Sequence, residues 1–147
     1  MEPRKILLVE DSPDDIALTI RAFEKSRIRN PIATVNDGAE ALDYLFCRGK
    51  YADRRQDDLP EIILLDLKLP KVSGLEVLRQ IRADQRTKLL PVVILTSSKE
   101  DRDLLDGYEG GANSYIVKPV DSVQFAECVG QLGLYWLILN ETVPKKQ

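Results

Sequence analysis

Residues 61–70 read Glu-Ile-Ile-Leu-Leu-Asp-Leu-Lys-Leu-Pro, EIILLDLKLP. The aliphatic run Ile62–Leu65 is short, has no polar alternation and is bounded by Pro60 and Pro70. A run of that kind reads as a strand covered on both faces, as strands of parallel sheets are. The chain then spends its next position on a carboxylate, Asp66. An ionised side chain at the end of a buried run costs free energy unless something pairs with it.

Four more apolar segments share this character: Lys5–Val9, Ile32–Val35, Pro91–Leu95 and Ser114–Val117. Longer amphipathic segments alternate with them. Each of these opens on a capping residue followed three positions later by an acid or amide: Ser12 with Asp15, Asp37 with Glu40, Ser73 with Glu76, Ser98 with Asp101, and Asp121 with Gln124. Pro13 falls at a first helical position, where its missing N–H does no harm. One such match is common by chance; five, each just after a strand, mark five helices. Strict alternation predicts an α/β fold with a parallel sheet and right-handed crossovers, and leaves the strand order open. Only the connection 48–58 is long, and its mixed charges read as a solvated loop, with a partner-docking loop as the lesser alternative.

Length and composition narrow the class. A chain of 147 residues, 44% hydrophobic and 31% charged, reads as one ordinary domain over 1–147. A net charge of −3 argues against nucleic acid, whose phosphates need a clustered basic surface. No apolar run approaches the ~20 residues of a membrane span, and the start Met1–Lys5 lacks a signal-peptide pattern, so a cytoplasmic protein with no membrane partner is expected. Cys47 and Cys128 are isolated and read as reduced, packed thiols rather than a disulfide or metal site. Histidine is absent, which removes Ser-His-Asp and Cys-His triads and most zinc sites. Any phosphohistidine in this protein's chemistry belongs to another molecule.

Open parallel sheets bind ligands at the C-terminal ends of their strands. Those ends carry Glu10-Asp11, Asp66, Thr96 and Lys118; the second strand ends in Asn36-Asp37, whose role as a cap suffices. Alone, a strand-end Asp is more often a turn former or cap. Three carboxylates, a hydroxyl and an ammonium on one rim have no packing rationale. Clustered carboxylates need raised pKa values or a cation. An oxygen-only donor set suits a hard ion, and an incomplete, water-sharing shell suits Mg²⁺ better than Ca²⁺. With a lysine and a hydroxyl beside it, Asp66 can be a nucleophile that forms an acyl phosphate.

Leu8-Val9-Glu10-Asp11-Ser12-Pro13, Leu65-Asp66-Leu67-Lys68-Leu69-Pro70 with Gly74, Leu95-Thr96-Ser97 and Tyr115-Ile116-Val117-Lys118-Pro119 together resemble the response-regulator receiver domains, the CheY-like family. The resemblance implies a flavodoxin-like (βα)5 doubly wound sheet of order 2-1-3-4-5. It also implies that Asp66 accepts a phosphoryl group from a phosphohistidine on a sensor histidine kinase. Asp11, Asp66 and the Lys68 backbone carbonyl would ligate Mg²⁺, with Glu10 acting through water. Lys118 and Thr96 would bind the phosphoryl oxygens, Tyr115 would swing inward as Thr96 moves, and the Lys118–Pro119 bond would be cis. Glu10 departs from the Asp that many members carry there. The segment Tyr44–Tyr51 and the ending Trp136–Glu141 resemble single-domain regulators paired with bacterial, especially cyanobacterial, phytochromes.

After the last helix only residues 140–147 remain, a short extension in which no output domain is expected. Readout would then be recognition by a partner or by a second copy. Leu134–Leu139 is apolar at six consecutive positions, more than one helix face requires. A homodimer through the fourth-helix, fifth-strand, fifth-helix face is the expectation; a helix end folded against its own body is the alternative. Two other functions stand beside the receiver. An aspartyl-nucleophile phosphatase would want an acid two positions after the nucleophile, where this chain has Lys68. A phosphorylation-independent adaptor of receiver shape has no use for all four of Asp11, Asp66, Thr96 and Lys118. Slow self-catalysed dephosphorylation is the only chemistry expected; the chain is not read as an enzyme. No G-x-x-x-x-G-K-[ST] run supports nucleotide binding, and flavin binding would rest on fold analogy alone.

Overall fold

The structure is a computed structural model that describes residues 4–97, 106, 108–134 and 137. Its five strands are β1 (Ile6–Val9), β2 (Ile32–Val35), β3 (Ile62–Asp66), β4 (Val92–Thr96) and β5 (Ser114–Val117). All pairings are parallel, in the order β2-β1-β3-β4-β5. The described helices are α1 (Pro13–Lys25), α2 (Gly38–Phe46), α3 (Gly74–Ala83) and α4 (Ser122–Gln131), the last following β5. The helix expected to open at Ser98 with Asp101 lies mostly outside the described residues; Asp106, Tyr108 and Glu109 are helical.

Strand limits differ from expectation by one residue. Lys5 and Pro91 precede their strands, although their carbonyls still accept from Glu61 N (2.8 Å) and Ile63 N (2.9 Å). At the other ends Asp66 pairs with Leu95, and Thr96 with Val117. Both polar residues are thus strand residues, and their backbones are fixed by the ladder rather than by a loop. β1, β3 and β4 are buried throughout, while the edge strands β2 and β5 are half-covered.

Side chains alternate between two apolar layers, as period-2 geometry demands. Leu7, Val9, Ile63, Leu65, Val92 and Ile94 pack under α2 and α3 against Leu45, Val77, Leu78 and Ile81. Ile6, Leu8, Ile62, Leu64, Val93, Leu95 and Ile116 face α1 and α4, meeting Phe23 and Phe125, whose rings lie 4.5 Å apart. Continuing that second alternation past the apolar run brings up Glu10, Asp66 and Lys118. They therefore emerge on the α1/α4 side of the rim.

Four expected caps form. Ser12 Oγ accepts from Asp15 N (3.2 Å), Asp37 Oδ1 from Glu40 N (2.7 Å), Ser73 Oγ from Glu76 N (3.2 Å) and Asp121 Oδ1 from Gln124 N (2.9 Å). The Gln124 carboxamide also accepts from Val117 N and donates to Val117 O, closing part of the edge of β5. Cys47 and Cys128 are free thiols. None of the described helices is long and apolar enough to cross a membrane.

The connection after α2 is more fastened than its charges imply. A 3₁₀ turn at Gly49–Tyr51 follows α2, and Tyr51 Oη donates to Glu40 Oε2 (2.6 Å). The Arg54 guanidinium lies 3.7 Å from the Tyr44 ring centroid and donates to the carbonyls of Tyr44 and Asp58. Arg86 donates to Gln56 O. With its side chain only 14% exposed, Arg54 acts as the anchor of this loop. Arg54→Ala is expected to cost about 2–3 kcal/mol, from a desolvated cation–π contact and two charge-assisted hydrogen bonds. A urea midpoint within error of the parent protein would show that the loop is held elsewhere.

The C-terminal apolar stretch is used at least partly at home. Leu137 is fully buried and Leu134 packs against the same α1/α4 layer. The other residues of that stretch lie outside the described set.

Candidate functional site

The rim at the C-terminal ends of β1, β3 and β5 gathers one cation and several carboxylates. Lys118 Nζ lies 2.8 Å from Glu10 Oε1, 3.1 Å from Asp66 Oδ2 and 3.1 Å from Asp15 Oδ2. Lys118 N donates to Thr96 O (2.7 Å), which ties the lysine to β4, and the Lys118–Pro119 bond is cis. Glu10 has no exposed surface and Asp66 is 6% exposed. The Lys68 amide donates to Asp66 Oδ1 (3.1 Å), and the Ser12 amide to Glu10 Oε2 (3.2 Å). Each buried carboxylate thus has one oxygen held by a backbone N–H and the other turned toward Lys118.

A close approach of backbone makes this possible. A Cβ on Gly74 would lie 2.4 Å from Asp66 O and 2.6 Å from Leu67 Cα. Only glycine lets the start of α3 sit directly against the end of β3, where Gly74 N donates to Leu67 O (3.0 Å).

The electrostatics follow from burial. Burial pushes the Glu10 carboxyl up to about 7; the neighbouring Asp66 charge adds to this, and Lys118 pulls it back. Burial alone would lower the Lys118 ammonium, but its bonds to Glu10, Asp66 and Asp15 outweigh that and hold it above the usual lysine range.

One oxygen from each of Glu10, Asp11 and Asp66 lies within 4.8 Å of the others, with Asp11 exposed and the other two buried. Three carboxylates face the Lys118 ammonium, and Asp11 adds a fourth beside Glu10 and Asp66. That excess of negative charge and the oxygen-only donor set fit a hard divalent cation, with Glu10, Asp11 and Asp66 as its holders.

Asp66, Leu67, Lys68, Leu95, Thr96, Ser97 and Lys118 line a cleft of about 80 Å³. Sites for drug-sized ligands run to ~300–1,000 Å³. Among the described residues this cleft has room for a small group.

Sequence reading named Glu10, Asp11, Asp66, Lys68, Thr96 and Lys118, and the structure brings them together. Tyr115 stands apart: its ring meets Tyr108 edge-on at 5.8 Å and lines a separate cavity of about 470 Å³ with Gln124, Glu127 and Cys128. In the sequence Asp15 reads only as the acid of a capping box. The signal that could have flagged it is its position one helical turn beyond Asp11, on the first turn of the helix that faces the β5 end.

Residues 6–129 match the family model of the response regulator receiver domain. The chain is 40% identical to the probable methanogenesis regulatory protein FilR2 of Methanothrix harundinacea, over 96% of this chain and 88% of that protein. It is 36% identical to response regulator Rcp1 of a Synechocystis species, over 92% and 90% of the two chains. Among solved structures it is similar to the bacteriophytochrome response regulator RtBRR, with TM-score 0.86 and 48% identity over 97% of this chain and 85% of that one. It is also similar to the Mn(2+)-bound form of Rcp1, with TM-score 0.74 and 35% identity over 99% and 100%. The sheet order, the acid cluster at its rim and a family match over most of the length agree, and this chain belongs to the response regulator receiver domain family.

Proposed function

We propose that this protein is a phospho-acceptor switch whose Asp66 takes a phosphoryl group from a phosphohistidine on a sensor histidine kinase. The observation that carries this reading is the buried Asp66 carboxylate, 3.1 Å from Lys118 and opening on a cleft of about 80 Å³. An Asp66 carboxylate oxygen attacks phosphorus, the new O–P bond forms, and the P–N bond to the donor imidazole breaks with its electron pair returning to nitrogen. Lys118 and the Thr96 hydroxyl donate to the phosphoryl oxygens, and the Lys68 amide keeps the carboxylate oriented. Mg²⁺ bound by Asp11, Asp66, the Lys68 carbonyl and, through water, Glu10 would neutralise charge on the transferring group. Hydrolysis of the acyl phosphate by water resets the protein, so it acts as a slowly self-resetting switch and not as an enzyme with an external substrate.

The kinase partner is inferred to be a phytochrome, working in the cytoplasm. The likeness to RtBRR and Rcp1 supports this, while the FilR2 likeness shows that related chains carry other regulatory names. Phosphorylation adds negative charge at Asp66, and Thr96 following the phosphoryl oxygens opens space for Tyr115. The face formed by the helical segment at Tyr108, by β5 with Tyr115 and by α4 is the surface such a change would alter, with a second copy of the chain as its partner.

Intact mass after incubation with acetyl phosphate tests the core of the reading. One added phosphoryl group is expected, dependent on Mg²⁺ and absent from Asp66→Asn. An unmodified protein that also fails to turn over acetyl phosphate would leave a receiver-shaped adaptor that works without phosphorylation.

A further inference from the structure

Asp15 Oδ2 reaches Lys118 Nζ at 3.1 Å, linking residues 103 positions apart. An ammonium has three N–H donors and nothing more to give. Those of Lys118 face three carboxylates, on Glu10, Asp15 and Asp66. Two of the donors are hydrogen-bonded, to Asp15 and Asp66, and Glu10 Oε1 pairs with the ammonium at 2.8 Å. Forming the acyl phosphate removes the Asp66 charge, so the phosphoryl oxygens inherit that donor and compete with Glu10 and Asp15 for the rest of the ammonium.

The three are not equally displaceable. Glu10 has no exposed surface, so removing its cation leaves a desolvated charge behind. Asp66 is buried and carries the incoming group itself, so the oxygens of that group replace its own contact, and the choice for any further donor lies between Glu10 and Asp15. The Asp15 side chain is 31% exposed, so water can take the place of the ammonium there. Asp15 also sits in the first turn of the 13-residue α1, where the N-terminal end of the helix favours a bare carboxylate. Asp15 is the partner that gives way.

We propose that Asp15 is a positioning residue that holds Lys118 in the resting protein and competes with the phosphoryl oxygens for it. This rests on the acceptor reading of Asp66. In the resting protein Asp15 keeps Lys118 within reach of the cleft and hydrogen-bonded away from it. When Asp66 is modified, Lys118 turns the donor held by Asp15 to the phosphoryl group and the Asp15 carboxylate is released to solvent. Asp15 thereby sets how strongly the site takes a phosphoryl group.

The test is titration of the full chain with beryllofluoride, a phosphoryl analogue, at saturating Mg²⁺. Asp15→Asn is expected to bind it about two- to fivefold more tightly, the range for losing one partly exposed ion-pair competitor. Asp15→Glu, which can still reach the ammonium, is expected to stay near the parent value. In a Lys118→Met background Asp15→Asn is expected to change nothing. NMR of the Lys118 Cε group gives a second reading: Asp15→Asn shifts it in the resting protein, and the two proteins coincide once beryllofluoride is bound. An unchanged affinity in Asp15→Asn, a gain that persists without Lys118, or a Cε difference that survives in the complex would each overturn the competition. No binding by the parent protein would sink the acceptor reading, and this inference with it; binding without an Asp15 effect sinks the inference alone.

Discussion

Lys118→Met is expected to cost the cation-free protein about 3–5 kcal/mol at pH 8, the penalty for stranding a buried charge. Methionine nearly matches the volume of the lysine stem, so little of the loss comes from a cavity. The loss comes from Glu10, which has no exposed surface and whose Oε1 faces Lys118 at 2.8 Å. Asp66, also buried, loses the same partner at 3.1 Å.

The pH dependence of that loss has a definite sign. Burial already holds the Glu10 carboxyl up at about 7, and removing Lys118 deletes the interaction that lowers it. A carboxyl whose folded pKa exceeds its unfolded value of ~4.3 binds its proton more tightly in the folded state. Stability therefore falls as pH rises from ~4.3 through the folded value and levels off above it. The Lys118 ammonium, held above its usual range, contributes stability that is lost only in strong alkali, outside this window. The deficit of Lys118→Met should accordingly be smallest near pH 5 and largest near pH 8. Urea midpoints at both pH values, with chelator present, check this. An equal deficit at the two would mean that Glu10 protonation does not relieve the cluster. Adding Mg²⁺ at pH 8 should restore part of the loss, because a ligand bound only by the folded state stabilises it by mass action. If Mg²⁺ restores nothing, the three carboxylates do not hold a cation.

How much of this was legible in the sequence depends on how local the signal is. Strand positions and caps are local: an apolar run and a Ser or Asp three residues before an acid or amide settle them, as at Ser73 and Glu76. The extension of β3 to Asp66 and of β4 to Thr96 is a ladder effect, visible only once Asp66 meets Leu95 and Thr96 meets Val117. Strand order could not be read from alternation and came from family resemblance. Asp15 was hidden because its direction depends on how α1 docks against the end of β5, a contact across most of the chain. Arg54 was hidden for a different reason. In a charged loop nothing in the sequence says which arginine will lie on the Tyr44 ring. The role that resemblance implies for Tyr115 is a movement that follows Thr96; in this structure its ring meets Tyr108 edge-on.

The second large effect is expected at Gly74. Helix propensity alone would favour alanine there by up to about 1 kcal/mol. The close approach reverses that sign, because the new Cβ would stand 2.4 Å from Asp66 O and 2.6 Å from Leu67 Cα. Both are backbone atoms at the buried junction where β3 ends and cannot rotate aside, so α3 itself must back away. That movement stretches the Gly74 N to Leu67 O bond and loosens Val77, Leu78 and Ile81 in the layer under α3. Gly74→Ala is expected to cost about 3 kcal/mol or more, at the upper end for overpacking. It should also slow labelling of Asp66 by acetyl phosphate severalfold, because the displaced backbone is the one that carries the acceptor and the Lys68 amide that orients it. Gly133→Ala is the matched control. Gly133 has a φ of +74° and no described atom within 4 Å of an added Cβ, so among the described residues alanine there meets only the backbone preference, worth about 1 kcal/mol. Urea unfolding of the two variants side by side separates contact from conformation. Equal losses, with Asp66 labelled at the parent rate in both, would mean that the junction of β3 and α3 yields without cost and that the acceptor is positioned by the sheet alone.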